Sequence, residues 1–204
     1  MPEQLGKIEK PIVETYKTGR KLYFVPLIFT PQKYDDEFLK IANKYWEEVQ
    51  TQLTDLETKL GTSNKIYHEL VPIGGEDGVK LIEELSKGSC QIVKSRLDKG
   101  AKLELIEDRE LLAEFMDWSK CLLVELELEK VFDMVYAFYT DALQKRNKYI
   151  EQQIDETLKE NEAGILLMQE LHQIQFPQGL EVFYIAPPSL DEIRRWIRTH
   201  VPEI

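Results

Sequence analysis

Basic residues, cysteine and histidine are all scarce in this chain, and no apolar run is long. The 204 residues hold 26 Lys+Arg against 37 Asp+Glu, a formal net charge of −11. A phosphate-binding surface needs clustered Lys and Arg, so the acidic balance excludes nucleic acid as a main partner. It equally disfavours an anionic membrane surface. Two cysteines, Cys90 and Cys121, stand alone, with no CxxC pair and no Cys/His cluster to hold structural zinc. They read as reduced thiols, which points to a cytoplasmic protein. No stretch reaches the roughly 18–20 apolar residues of a membrane span. Residues 1–20 are polar, contain Pro2 and Pro11 and lack the apolar segment of a secretory signal, so an extended N-terminal arm is expected there. Also missing are a GxGxxG turn, a P-loop and a nucleophile elbow. Repeats and low-complexity tracts are absent too.

What is present is enough apolar material for a core, 43% of residues, within a length that suits one domain spanning 1–204. Residues 22–29, LYFVPLIF, form a continuous apolar run suited to a buried strand, with Pro26 marking a strand end or bulge. Apolar residues then recur every three or four positions over 33–60, from Phe38 through Trp46 to Leu60, and Gly61 stops that helix. Strands follow at 65–71, 101–106, 164–168 and 180–185. Helices are expected at 76–98, from 108 with Leu111, Leu112, Phe115, Trp118, Leu122 and Leu123 on its inner face, and at 129–160. A last helix begins near Ser189, with Glu192 completing a capping-box pattern. Strands alternating with helices predict an α/β fold. Its sheet is mostly parallel, of about five strands, and flanked by helices including one long one.

In such sheets ligands bind beyond the carboxyl ends of the strands. The second strand ends with His68-Glu69, the third with Glu107-Asp108, and Glu170 and His172 follow the fourth. Carboxylates and imidazoles gathered there can bind a divalent metal or act as acid and base. Glu107 and Asp108 equally suit the N-terminal end of the next helix, where negative charge is favourable. His68 also reads as a plain packed or surface histidine. Arg146, midway along the long helix beside Asn147, either pairs with a carboxylate at the sheet edge or lies on a solvated face with Lys145 and Lys148. Gly74-Gly75 either leaves room for a ligand or is only a turn.

The segment from Arg146-Asn147 through Ile150, Ile154, Thr157 and Leu158 to GILLM and His172 resembles the closing half of the TraB/TIKI/ChaN/erythromycin-esterase-like superfamily. In that group an arginine-bearing helix leads into a strand followed by a histidine motif. KIYHEL with Glu69 resembles the family's glutamate-bearing strand, and GAKLELIED with Glu107 its next acidic strand end. The similarity covers about residues 65–175. Its members include metal-dependent peptidases, haem-binding proteins and esterase-like hydrolases. The resemblance therefore implies a site of Glu69, Glu107, Arg146 and His172, with Glu69, Glu107 and His172 as divalent-metal ligands. Two departures stand against catalysis. The first strand lacks the family's glycine-and-histidine motif, and Gln169-Glu170-Leu171 precede His172 where the family has glycine.

Two function classes result. One is a protein that binds a small molecule or protein partner on a hydrolase-like scaffold without full catalytic machinery. The other is a metal-dependent hydrolase, peptidase- or esterase-like. In that version Glu69 and Glu107 bind the cation or act as base, His172 moves a proton, and Arg146 orients a carboxylate or stabilises an oxyanion. The aromatic content also raises the expectation of a homo-oligomer.

Overall fold

The computed structural model describes residues 18–29 and 36–200; residues 1–17 of the expected N-terminal arm lie outside them, and Arg20, placed in that arm, instead begins the first strand. Five parallel strands form one sheet in the order β3-β2-β4-β1-β5. They are β1 (Arg20–Pro26), β2 (Ser63–His68), β3 (Lys102–Glu104), β4 (Ala163–Met168) and β5 (Leu180–Tyr184). The helices are α1 (Asp36–Leu60), α2 (Gly75–Leu85), α3 (Lys87–Leu97), α4 (Arg109–Leu122), α5 (Glu129–Thr157) and α6 (Pro188–His200). The expected α/β architecture is therefore present, long helix included.

Side-chain alternation along the strands divides the core in two. Tyr23, Val25, Ile66, Ile165 and Leu167 face one side, covered by α1, α2, α3 and α6. Leu22, Phe24, Tyr67, Leu166 and Met168 face the other, where Ile150 and Ile154 of α5 and Leu158 just past its end cover them. Burial on both faces explains why β1 and β4 read as unbroken apolar runs rather than alternating ones.

Local chemistry moves several expected boundaries. The first strand stops at Pro26, which has no N–H for the ladder. The helix expected over 76–98 divides at Ser86, whose extended backbone ends α2 and whose hydroxyl accepts from the Ser89 amide to start α3. The capping box at Ser189 does not form. Ser189 lies inside α6 and donates its amide and hydroxyl to Glu48, while Glu192 pairs with Lys44.

The largest correction concerns α4. None of its residues is buried, so Leu111, Leu112, Phe115, Trp118, Leu122 and Leu123 do not face the sheet core. The cause is length. With 29 residues, α5 runs about 43 Å, whereas strands of six residues span about 20 Å. The half of α5 from Ala142 onward packs on the sheet. The earlier half overshoots and pairs with α4 as a helical hairpin.

Gly88 abuts the Trp46 ring, and a Cβ there would come within 2.0 Å of Cδ1. Gly88→Ala is expected to cost about 1–3 kcal/mol through overpacking. Gly74→Ala, whose Cβ would meet only Leu105 at 3.9 Å, is expected to stay within about 0.5 kcal/mol of the parent. Urea denaturation of the two variants measures both.

Candidate functional site

The site begins with α5. Ala142, Arg146, Ile150 and Ile154, four residues apart, form its buried stripe, with Asn147 beside Arg146. The stripe carries Arg146 over the carboxyl ends of β2 and β4, at the point where the hairpin leaves the sheet. The side chain is 4% exposed, so the solvated-face alternative for Arg146 does not hold.

A buried guanidinium needs its donors satisfied. Arg146 grips Glu107 with two donors, Nε to Oε2 at 2.9 Å and Nη2 to Oε1, and Nη2 also reaches Glu69 Oε1 at 3.0 Å. Backbone amides take the remaining carboxylate positions. Leu70 donates to Glu107 Oε1 at 2.9 Å, and Gln169 donates to Glu69 Oε2 at 2.7 Å. Leu70 holds φ at 65°, a left-handed conformation that side chains other than glycine and asparagine seldom adopt. Strain of that kind concentrates at functional sites. Phe115 of α4 closes the assembly, with its ring 4.8 Å from the Arg146 guanidinium carbon.

The neighbouring residues Glu107 and Asp108 divide the two roles expected of them. Asp108 caps α4 by accepting from the amides of Glu110 and Leu111. Glu107 turns inward to Arg146.

A cavity of about 120 Å³ adjoins this cluster, lined among others by Glu69, Tyr139, Asn147, Gln169 and His172. Three of the four expected site residues thus meet directly, and the fourth shares the cavity. The His172 ring packs against Phe24 and Phe176, at 4.9 and 5.5 Å between centroids. Its Nδ1 accepts from the Ile174 amide at 3.3 Å, which leaves the proton of the neutral ring on Nε2. Partial burial lowers its pKa and favours that neutral form.

The metal set Glu69, Glu107 and His172 does not assemble. Among the described residues no group of three His, Cys, Asp or Glu is placed to hold an ion. Both carboxylates already face a guanidinium that supplies the positive charge a cation would bring. The residues present therefore do not fit a divalent metal.

Burial raises the Glu69 pKa, and the Arg146 charge opposes that shift without cancelling it. Arg146 is pushed up: burial works against its charge, but the Glu107 and Glu69 contacts outweigh it. His68 points to the opposite side of the sheet end and is buried. Its Nδ1 lies 2.6 Å from the Glu69 carbonyl oxygen and its Nε2 lies 3.0 Å from Ser89 Oγ. The carbonyl only accepts, so the proton sits on Nδ1, and Nε2 competes for the Ser89 hydroxyl proton with the Ser86 carbonyl oxygen, 3.0 Å from Oγ. His68 is thus a packed histidine tying β2 to α3. Gly74-Gly75 is the turn that opens α2.

Sequence reading missed Phe115, Tyr139 and Gln169 in the site. Tyr139 and Leu143 were legible as the i−7 and i−3 neighbours of Arg146 on one helix face. A second cluster was also missed. Arg194 grips Glu170 with two donors, and Tyr184 donates to the same carboxylate. A scan against protein-family models finds no match, and no curated protein or solved structure matches the chain.

Removing Arg146 leaves two buried carboxylates without a counter-charge. Arg146→Met is expected to destabilise by about 3–5 kcal/mol, read from urea denaturation. His68 supplies a pH test. Burial lowers it from 6.5 to about 4, so the unfolded chain binds the extra proton first as pH falls. Its contribution is complete above about 6.5 and is lost towards pH 4, about 3 kcal/mol in all. His68→Gln should remove that part of the acid slope. Glu69, being raised, acts oppositely: its contribution is present at low pH and fades as pH rises through its folded value.

Proposed function

We propose that this protein binds a small polar molecule in the cavity beside Arg146 and does not turn it over, as a relative of the TraB/TIKI/ChaN/erythromycin-esterase-like superfamily that has lost its catalytic parts. The observation that carries the reading is the engagement of the charged groups with one another. Every oxygen of Glu69 and Glu107 accepts a bond from Arg146 or a backbone amide. A catalytic base or a metal ligand at either residue would have to share its oxygens with Arg146 and these amides, which hold both carboxylates in place.

The recognition groups are different ones. Asn147 is mostly buried, lines the cavity and makes no side-chain hydrogen bond among the described residues. Its amide both donates and accepts. Beside it stand the Gln169 and Gln173 side chains and the His172 Nε2–H. One guanidinium against two carboxylates makes the floor acidic, which repels anions. The ligand class is therefore a small neutral or cationic molecule with both donors and acceptors. Its size is limited to a few heavy atoms by the 120 Å³ of space. Two free cysteines support a reducing compartment, consistent with the cytoplasm.

A hydrolase is the second reading. Its support is that Glu69, with a raised pKa, shares the cavity with a neutral His172 that has a proton to give. That pair suits proton transfer.

A thermal-shift screen separates the two. Small amides, ureas and amines are expected to raise the melting temperature by several degrees at saturating concentration. Carboxylates and phosphates should not, and Asn147→Leu should abolish the shift. An ester, peptide and phosphate panel, run with and without Mn²⁺, Co²⁺ or Zn²⁺, should show no turnover. Turnover lost in both Glu69→Gln and His172→Ala would instead establish the hydrolase.

A further inference from the structure

The free half of α5 is apolar on almost every side. Residues 131–140 read VFDMVYAFYT and carry a single charge, Asp133. A helix that is apolar all round belongs in an interior. Yet nothing in α5 before Ala142 is buried, and α4 covers only one side. Leu128 is 66% exposed and Tyr136 54% exposed, with Leu123, Phe132, Met134 and Phe138 also open. Exposed apolar patches of this extent mark interaction sites.

We propose that the α4–α5 hairpin is a dimerisation arm that packs antiparallel against the same hairpin of a second copy of this chain, forming a four-helix bundle. Area is the first argument. Nine large apolar residues between Met116 and Phe138 are exposed, on average by about half. At about 150–200 Å² for each complete side chain, they offer roughly 800 Å² per copy. Covering two thirds of this, with the usual polar rim, gives about 900 Å² per partner, the size of a standard stable interface.

Charge is the second argument and selects the orientation. The tip of the hairpin carries Glu125, Glu127 and Glu129. A parallel pairing would bring two acidic tips together. The antiparallel one separates them and sets each tip beside exposed Lys148, and Lys145 with its Asp141 partner, at the base of the other copy's hairpin. It also leaves the decad with its single charge, Asp133, at the centre, where interfaces are depleted of charge. Such a contact is two-fold symmetric and closes on itself. The acidic tip disfavours an anionic membrane as the occupant.

Sedimentation of the full chain tests the arrangement. The chain is expected at twice its monomer mass at about 10–100 μM, within the affinity range an interface of this size reaches. Phe132→Glu with Tyr136→Glu should return it to monomer with unchanged circular dichroism. A crosslink removes dependence on how that variant folds. In a Cys121→Ser background, Tyr136→Cys near the two-fold axis should form a disulfide-linked dimer under mild oxidation, whereas Lys59→Cys, far from the hairpin, should not. A monomer throughout the concentration range overturns the proposal. So does a dimer unaffected by the double substitution. Hairpin-dependent binding to lipid vesicles by a chain that stays monomeric in solution overturns it as well.

Discussion

A guanidinium buried between two carboxylates has to keep its hydrogen bonds, because each donor left unpaired in a low-dielectric interior costs more than the bond contributes. Arg146 answers that demand at Nε and Nη2, drawing on three separate stretches of chain. Glu69 follows β2, Glu107 precedes α4, and Arg146 itself comes from the middle of α5. Gln169, just after β4, adds a fourth by donating its amide to Glu69. One cluster therefore fixes where the long helix crosses the sheet, where the hairpin departs, and how the loops at the carboxyl edge are arranged. The left-handed Leu70 fits this demand, since its amide is one of the donors that complete Glu107.

The same cluster separates two kinds of chemistry. Carboxylates held by arginine and backbone amides set a local field, and under the proposed reading their role is to hold the edge in place. The groups with unused hydrogen-bonding capacity are neutral: the Asn147 amide, the glutamines of the 169–173 loop and the His172 Nε2–H. Recognition of a small neutral or cationic molecule is the activity proposed for such groups. The hairpin enters the argument because Phe115 and Tyr139, at its base, form part of the cavity wall. A second copy holding the hairpin in place would then also steady one side of that wall.

Much of this was legible in the sequence. Strand and helix alternation led to the sheet, because apolar runs and 3.6-residue stripes are local signals. Glu69 and Glu107 could be singled out because they follow strands, and Arg146 because a charged residue interrupts an apolar stripe. Two things lay outside local pattern. One was that Arg146 pairs with both glutamates, which depends on three-dimensional convergence and turns an apparent metal set into an ion cluster. The other was the fate of α4. Its amphipathic stripe of Leu111, Phe115 and Trp118 matches that of a core helix, and only the length of α5 relative to the strands shows that it pairs beyond the sheet. Glu107 and Asp108, adjacent and chemically alike, show the limit most sharply: one caps a helix and the other binds the arginine.

The most direct test is a double-mutant cycle between Arg146 and Glu107, measured by urea denaturation with Arg146→Met, Glu107→Gln and the pair. If the buried cluster organises the carboxyl edge, the two residues should show a coupling of about 2–3 kcal/mol, the upper range found for contacting residues. The double variant should then be more stable than Arg146→Met alone, since it removes one stranded charge. Additive effects, with no coupling, would contradict the account.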